Sequence, residues 1–200
     1  MRIDTVKTKV YKFNELNDEA KEKAIMDLHD INTDFDWWCF VFDDAIEIGK
    51  IIGIDIDKIY FSGFYSQGDG ACFDGSYEYK KGALKNIRQH APKDNDLHEI
   101  AESLQTLQRK CFYSAAATIN QSGHYMHENC TNIDTCFENY NGSDYYSNDN
   151  HDDLKDCLRD FMRWIYRRLE KENDYLTSES AIIESIESND YEFTADGSIY

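Results

Sequence analysis

Residues 59–79 read IYFSGFYSQGDGACFDGSYEY, and this stretch decides the fold. Two runs of aromatic and small residues flank Gln67-Gly68-Asp69-Gly70, where glycines supply the backbone angles of a reversal, so the spacing predicts a β-hairpin. Alternation places Ile59, Phe61, Gly63 and Tyr65 on one face of the first run, and Ala71, Phe73, Gly75, Tyr77 and Tyr79 on one face of the second. Ser62, Ser66, Asp74, Ser76 and Glu78 fall on the opposite side, as in an antiparallel sheet with one face buried. Gly63 and Gly75 lie inside strands, where a missing side chain marks a bulge or the close approach of another group.

Outward from the hairpin, helical periodicity alternates with short extended runs. Residues Asp4 to Phe13 alternate as an edge strand would, and Asn17 caps a helix with Ala20, Ala24, Ile25, Leu28 and Ile31 inward. A second helix, capped by Asp34 or Asp36, turns Trp38, Val41, Phe42, Ala45, Ile46 and Ile52 inward and stops at Gly53. Trp37 and Phe40 lie off that stripe; they either pack under a neighbouring element or form an exposed recognition patch. The basic stretch KKGALKNIRQHAPKD reads as a solvated connector or an anion-binding loop. A third helix follows on Leu97, Ile100, Ala101, Leu104 and Leu107, and residues 111–140 read as two or three strands with a turn at Asn120 to Gly123. A long helix begins at Asp149 or Asn150 on the stripe Leu154, Cys157, Leu158, Phe161, Ile165 and Leu169. Thr177 or Ser178 caps a last helix, before a strand near 191–194. The expectation is an α+β fold, an antiparallel sheet with helices packed on one side, in a single domain over residues 1–200 with a flexible loop near 140–150.

Charge narrows the functional classes. The 200 residues carry a formal net charge of −18 with 41% hydrophobic residues and one proline, so the chain is globular and acidic. Direct nucleic-acid binding is not expected, because neutralising phosphates takes a basic surface. No apolar run reaches the roughly 20 residues of a membrane helix and the N-terminus has no apolar signal core, so a cytoplasmic location and no membrane partner are expected. The six cysteines have no CxxC spacing and read as small core residues. On the long helix Lys155, Arg159, Arg163 and Arg167 recur every fourth residue. Asp152, Asp156 and Asp160 lie within a turn, so intrahelical pairing is the simpler reading than a phosphate site.

The candidate chemistry is sparse. His124, His127, Cys130 and Cys136 have the donor atoms of a zinc site, but on a continuous strand the two histidines point to opposite faces, so no metal and no other cofactor is expected. Tyr65, Gln67 and Asp69 at the hairpin tip, with Asp74, could form a small polar site for an anion or nucleotide; the alternative is a plain turn in which Asp69 bonds its own backbone. Neither GxSxG, GxGxxG, a P-loop nor a flanked nucleophilic cysteine occurs, so nothing local marks an enzyme.

The residues YFSGFYSQGDGACFDGSY (60–77), with YKFNELNDEAKEKAI (11–25), DFDWW (34–38) and ESNDYEFTADGSIY (187–200), resemble a family of small proteins encoded by tailed bacteriophages and prophages. Its members often carry the label "antitoxin of toxin-antitoxin stability system". The resemblance implies phage or prophage origin, the bacterial cytoplasm, and work against or alongside host factors, as inhibitors such as anti-CRISPR proteins do; it transfers no catalytic residue. Three readings follow: a non-enzymatic inhibitor binding a host defence protein, one that handles nucleic acid, through the acidic surface; a nucleotide sponge or hydrolase with its site at the glycine-rich hairpin; and an antitoxin.

Overall fold

The computed structural model describes residues 7–137 and 148–200. The fold is α+β. By its internal contacts the chain divides into two compact units, residues 39–170 and residues 1–38 with 171–200.

The larger unit is built on a four-stranded antiparallel sheet ordered β2-β3-β4-β5, from β2 (Ile54–Ser62), β3 (Gly70–Tyr77), β4 (Ala115–Gln121) and β5 (Thr131–Phe137). Register follows the expected alternation. Ile54 faces Tyr77 and Ile59 faces Phe73, while Ile119 faces Ile133, all buried on one side of the sheet. The other side carries the exposed rung Asp55, Thr118 and Asp134, joined through the half-buried Ser76. Gly75 stands opposite a β-bulge at Ile56 and Lys58, where a Cβ would come within 2.1 Å of the Asp55 carbonyl oxygen. Close approach by backbone explains this glycine.

Helices α2 (Cys39–Ile52), α3 (Ala83–His90) and α4 (Asn95–Lys110) pack in series, α2 against β2 and α3, and α3 against α4. The buried face of α2 is Val41, Ala45, Ile48, Gly49 and Ile52, rotated slightly from the sequence stripe because Phe42 and Ile46 are only half-buried. Helix α3 falls in the basic stretch expected as a solvated connector or an anion-binding loop, and its one buried residue is Ile87. Asp94 caps α4 by accepting from the Leu97 amide. Helix α5 (Asn148–Leu176) buries the whole expected stripe together with Met162 and Trp164. Phe161 packs edge-on to Phe73 at 6.1 Å, a core ring of the kind that contributes about 1.5–3 kcal/mol when buried. Of the loop expected near 140–150, residues 138–147 lie outside the described residues and 148–150 are already helical.

The smaller unit pairs β1 (Tyr11–Lys12) antiparallel with β6 (Glu192–Phe193) and packs α1 (Asp18–Asp27) and α6 (Glu179–Ser188) around Phe13, Leu16, Ala24, Ile182, Ile186 and Phe193. The strand expected over 4–13 is only two residues long among the described residues, because 7–10 form no regular structure; 1–6 lie outside the described residues. Asn17 caps α1 through the Ala20 amide, and Ser178 caps α6 through the Ala181 amide.

Candidate functional site

The hairpin tip is a closed turn. The Asp69 carboxylate accepts from the amides of Tyr65 at 3.0 Å and Ser66 at 2.6 Å, which ties residues 65–69 to themselves. Each neighbouring glycine has its empty side filled by the chain. A Cβ on Gly63 would meet the Asp69 carboxylate at 2.6 Å, one on Gly68 the Tyr125 ring at 3.3 Å, and one on Gly70 the His127 ring at 2.9 Å. The Tyr166 hydroxyl donates to the Gly63 carbonyl at 3.2 Å and its ring stacks on Phe64 at 5.6 Å. The space beside these glycines is therefore occupied by Asp69, Tyr125 and His127.

The sequence candidates are only partly brought together. Tyr65 and Gln67 are exposed on the turn with Asp69 beneath them. Asp74 lies five residues up β3, about 17 Å along an extended strand, where it accepts from the Tyr60 hydroxyl at 2.7 Å and the Gln121 amide at 2.6 Å. Trp37 is 5% exposed and packs edge-on to Trp38 at 5.8 Å, whereas Phe40 is 54% exposed on α2. The Trp37 ring is core, so Phe40 stands on the surface without it.

His124 and His127 do not lie on a strand: they belong to the connection 122–130 between β4 and β5. The His127 Nδ1 accepts from the Asn129 amide and sits 3.1 Å from the buried Glu128 carboxylate, which also pairs with Arg163 at 3.3 Å. Cys136 is exposed on the open sheet face and Cys130 is half-buried. Among the described residues no group of three His, Cys, Asp or Glu side chains converges as metal ligands would. Burial pushes the thiol of Cys72 up to about 11 and that of Cys157 up to about 12, so both are protonated core thiols at neutral pH.

The cation row of α5 is neutralised. Lys155 lies 3.7 Å from Asp152 and Arg159 3.3 Å from Asp156, Arg163 is held by Asp160 and Glu128, and Arg167 lies 2.9 Å from Asp96 of α4. Exposed pairs of this kind contribute only about 0–1 kcal/mol each. Between α4 and α5 run two hollows of about 350 and 170 Å³ that share Ser103 and Asp160. Six carboxylates line them, Asp96, Glu99, Glu102, Asp153, Asp156 and Asp160, against two cations, Lys110 and Arg167. Every one of these acids was visible on an expected helix or in the segment before it. That they share one groove depends on α4 pairing with α5, which periodicity does not specify.

The chain belongs to the family described as a domain of unknown function, DUF8835, whose model matches residues 37–179. No match to a curated protein or to a solved structure was found.

Proposed function

We propose that the protein is a non-enzymatic interaction protein that binds and blocks a basic protein surface, and that the α4–α5 groove is the contact. The resemblance to phage-encoded proteins makes the target a host defence component in the bacterial cytoplasm. The single observation that carries this reading is that six carboxylates and two cations line the groove, counted with the exposed pairs that Asp96, Glu102, Asp153, Asp156 and Asp160 make with Arg167, Arg88, Lys110, Arg159 and Arg163. Two features agree with it. The net charge of −18 steers the chain toward basic surfaces, and the hairpin tip that would serve a small-ligand site is filled by the chain's own side chains.

The test starts with capture of a stoichiometric partner from host cells and then measures its affinity against salt. Charge pairing across a groove is screened over about 8 Å at physiological ionic strength, so affinity falls as salt rises. A combined Glu99→Gln, Glu102→Gln, Asp153→Asn and Asp156→Asn variant loses most of the binding while melting near the parent temperature. An affinity indifferent both to salt and to these substitutions contradicts the reading.

A further inference from the structure

Total charge argues against a nucleic-acid contact, but the acids are not spread evenly along the chain. Although 39 of the 200 residues are acidic, residues 79–93 and 103–127 hold no aspartate or glutamate and carry seven lysines and arginines. Two of those cations, Arg88 and Lys110, are taken up by Glu102 and Asp153. Lys81, Lys85 and Arg109 are exposed and make no ion pair among the described residues.

The fold brings the two acid-free stretches to one end of the larger unit. Tyr79, just past β3, lines a small cavity with Gly82 and Ala83 at the start of α3 and with Gln105 and Gln108 of α4. Lys81 immediately precedes that start and Lys85 lies one turn beyond it, while Arg109 lies one turn beyond Gln105 on the same edge of α4. The nearest acid in sequence, Glu78, points elsewhere. Its amide still bonds to the Gly53 carbonyl, so the chain is extended there and Glu78 falls with Ser76 on the open side of the sheet. Tyr77 and Tyr79 fall on the helix side, where Gln108 donates to the Tyr77 hydroxyl at 3.1 Å and the Tyr113 ring lies 4.7 Å from that of Tyr79.

Aromatic rings are held out at the same end. Phe112 and Tyr113 follow α4 with φ of 51° and 63°, consecutive left-handed residues where glycine is the unstrained choice. The turn is clamped by the Tyr113 amide donating to the Gln108 carbonyl at 2.6 Å, and by the buried Gln108 side chain, which donates to the Ala115 carbonyl at 2.6 Å and accepts from its amide at 3.2 Å. Strain of this kind persists only where surrounding contacts over-determine it. Here the clamp secures display: Phe112 is 82% exposed and Tyr113 49%.

We infer that this end of the larger unit binds a single strand of nucleic acid, with bases stacking on Phe112 and on the Tyr79–Tyr113 pair and phosphates meeting Lys81, Lys85 and Arg109. Exposed rings beside unpaired cations are the surface that a strand with unstacked bases requires. An acidic peptide uses the cations but leaves the rings without partners, and a duplex hides its base faces. The inference does not rest on the α4–α5 groove, whose lining shares none of these residues.

The experiment titrates the full chain with fluorescein-labelled octathymidylate, followed by anisotropy, at an ionic strength where the field of distant acids is screened beyond about 8 Å. The strand binds saturably at one site; an abasic octamer of deoxyribose phosphate, an eight-base-pair duplex and octaglutamate each bind at least tenfold more weakly. Phe112→Asn, at an exposed side chain and with a residue that tolerates left-handed angles, weakens strand binding at least fivefold and melts no lower than the parent. Lys81→Gln and Arg109→Gln each weaken it at least threefold, whereas Lys171→Gln, the same change in charge at an exposed position of α5, leaves it unaltered. No saturable binding, an affinity for the abasic octamer, the duplex or octaglutamate equal to that for the strand, an unchanged affinity in Phe112→Asn, or an equal loss in Lys171→Gln overturns the inference.

Discussion

Two turns of the larger unit solve the same backbone problem in opposite ways. At the hairpin tip, Gly63, Gly68 and Gly70 stand where a side chain would collide with Asp69, Tyr125 or His127, so residue type and crowding agree. At the end of α4, Phe112 and Tyr113 adopt left-handed angles that glycine adopts freely, and Phe112 is 82% exposed, so no packing repays its strain. The glycine-rich motif is conspicuous in sequence and structural in role. The aromatic pair is inconspicuous, and it is where the chain departs from its own local preference. Such departures are more often found at recognition sites than in ordinary turns.

The largest effect that sharpens this contrast is expected at Gly70. A methyl there meets the His127 ring at 2.9 Å and its Cα at 3.1 Å, and backbone gives way less easily than a side-chain end. Gly70→Ala is expected to cost about 1–3 kcal/mol, the usual range for overpacking, measured by denaturant unfolding. A variant as stable as the parent breaks the contrast at this turn.

Phe112→Gly should act in the opposite direction. Relief of a left-handed aromatic is worth about 1–2 kcal/mol, offset by about 0.5–1 kcal/mol for the extra freedom of glycine in the unfolded chain, so stability rises by up to about 1.5 kcal/mol. A lower melting temperature would show that the exposed ring is part of the fold after all.

The smallest effect concerns the C-terminal turn of the smaller unit, which resembles the tip in using an aspartate to close a turn. Asp196 accepts from Lys23, Thr194 and Ser198, and these hydrogen bonds, Lys23 first, hold its carboxyl well below the usual value of 3.8. A depressed folded-state pKa means that this stabilisation is complete above the unfolded value and is lost as pH falls below about 3.8 toward the folded one. Asp196→Asn should flatten the acid side of the stability profile below that pH, by a small amount because the side chain is largely exposed. An unchanged acid slope would mean that the turn does not depend on the charge.

Much of the fold was legible because its signals are local. The hairpin register rests on alternation about Ile59 and Phe73, the caps on Asn17 and Ser178, and α5 on an apolar stripe that the structure buries completely. What was not legible depends on tertiary pairing. The segment holding α3 was read for its basic residues rather than for the apolar face, centred on Ile87, that packs it against α2 and α4. His124 and His127 looked strand-borne because aromatic neighbours imitate strand composition, yet that connection packs its Tyr125 and His127 onto the glycines of another hairpin. The groove needed two helices that are adjacent in space and nearly 40 residues apart in sequence. The left-handed turn at Phe112 and Tyr113 was a readable anomaly, since two aromatics stand where a helix usually ends in glycine.

The most direct test sets the tip against the groove in paired measurements of melting temperature and partner affinity. Asp69→Ala, which removes two backbone hydrogen bonds worth about 0.5–1.5 kcal/mol each, should lower the melting temperature and leave partner affinity unchanged. The four-carboxylate groove variant should leave the melting temperature near that of the parent and abolish most of the affinity. The reverse pattern, in which Asp69→Ala melts normally but no longer binds and the groove variant binds like the parent, would place the function at the glycine-rich hairpin and contradict the account.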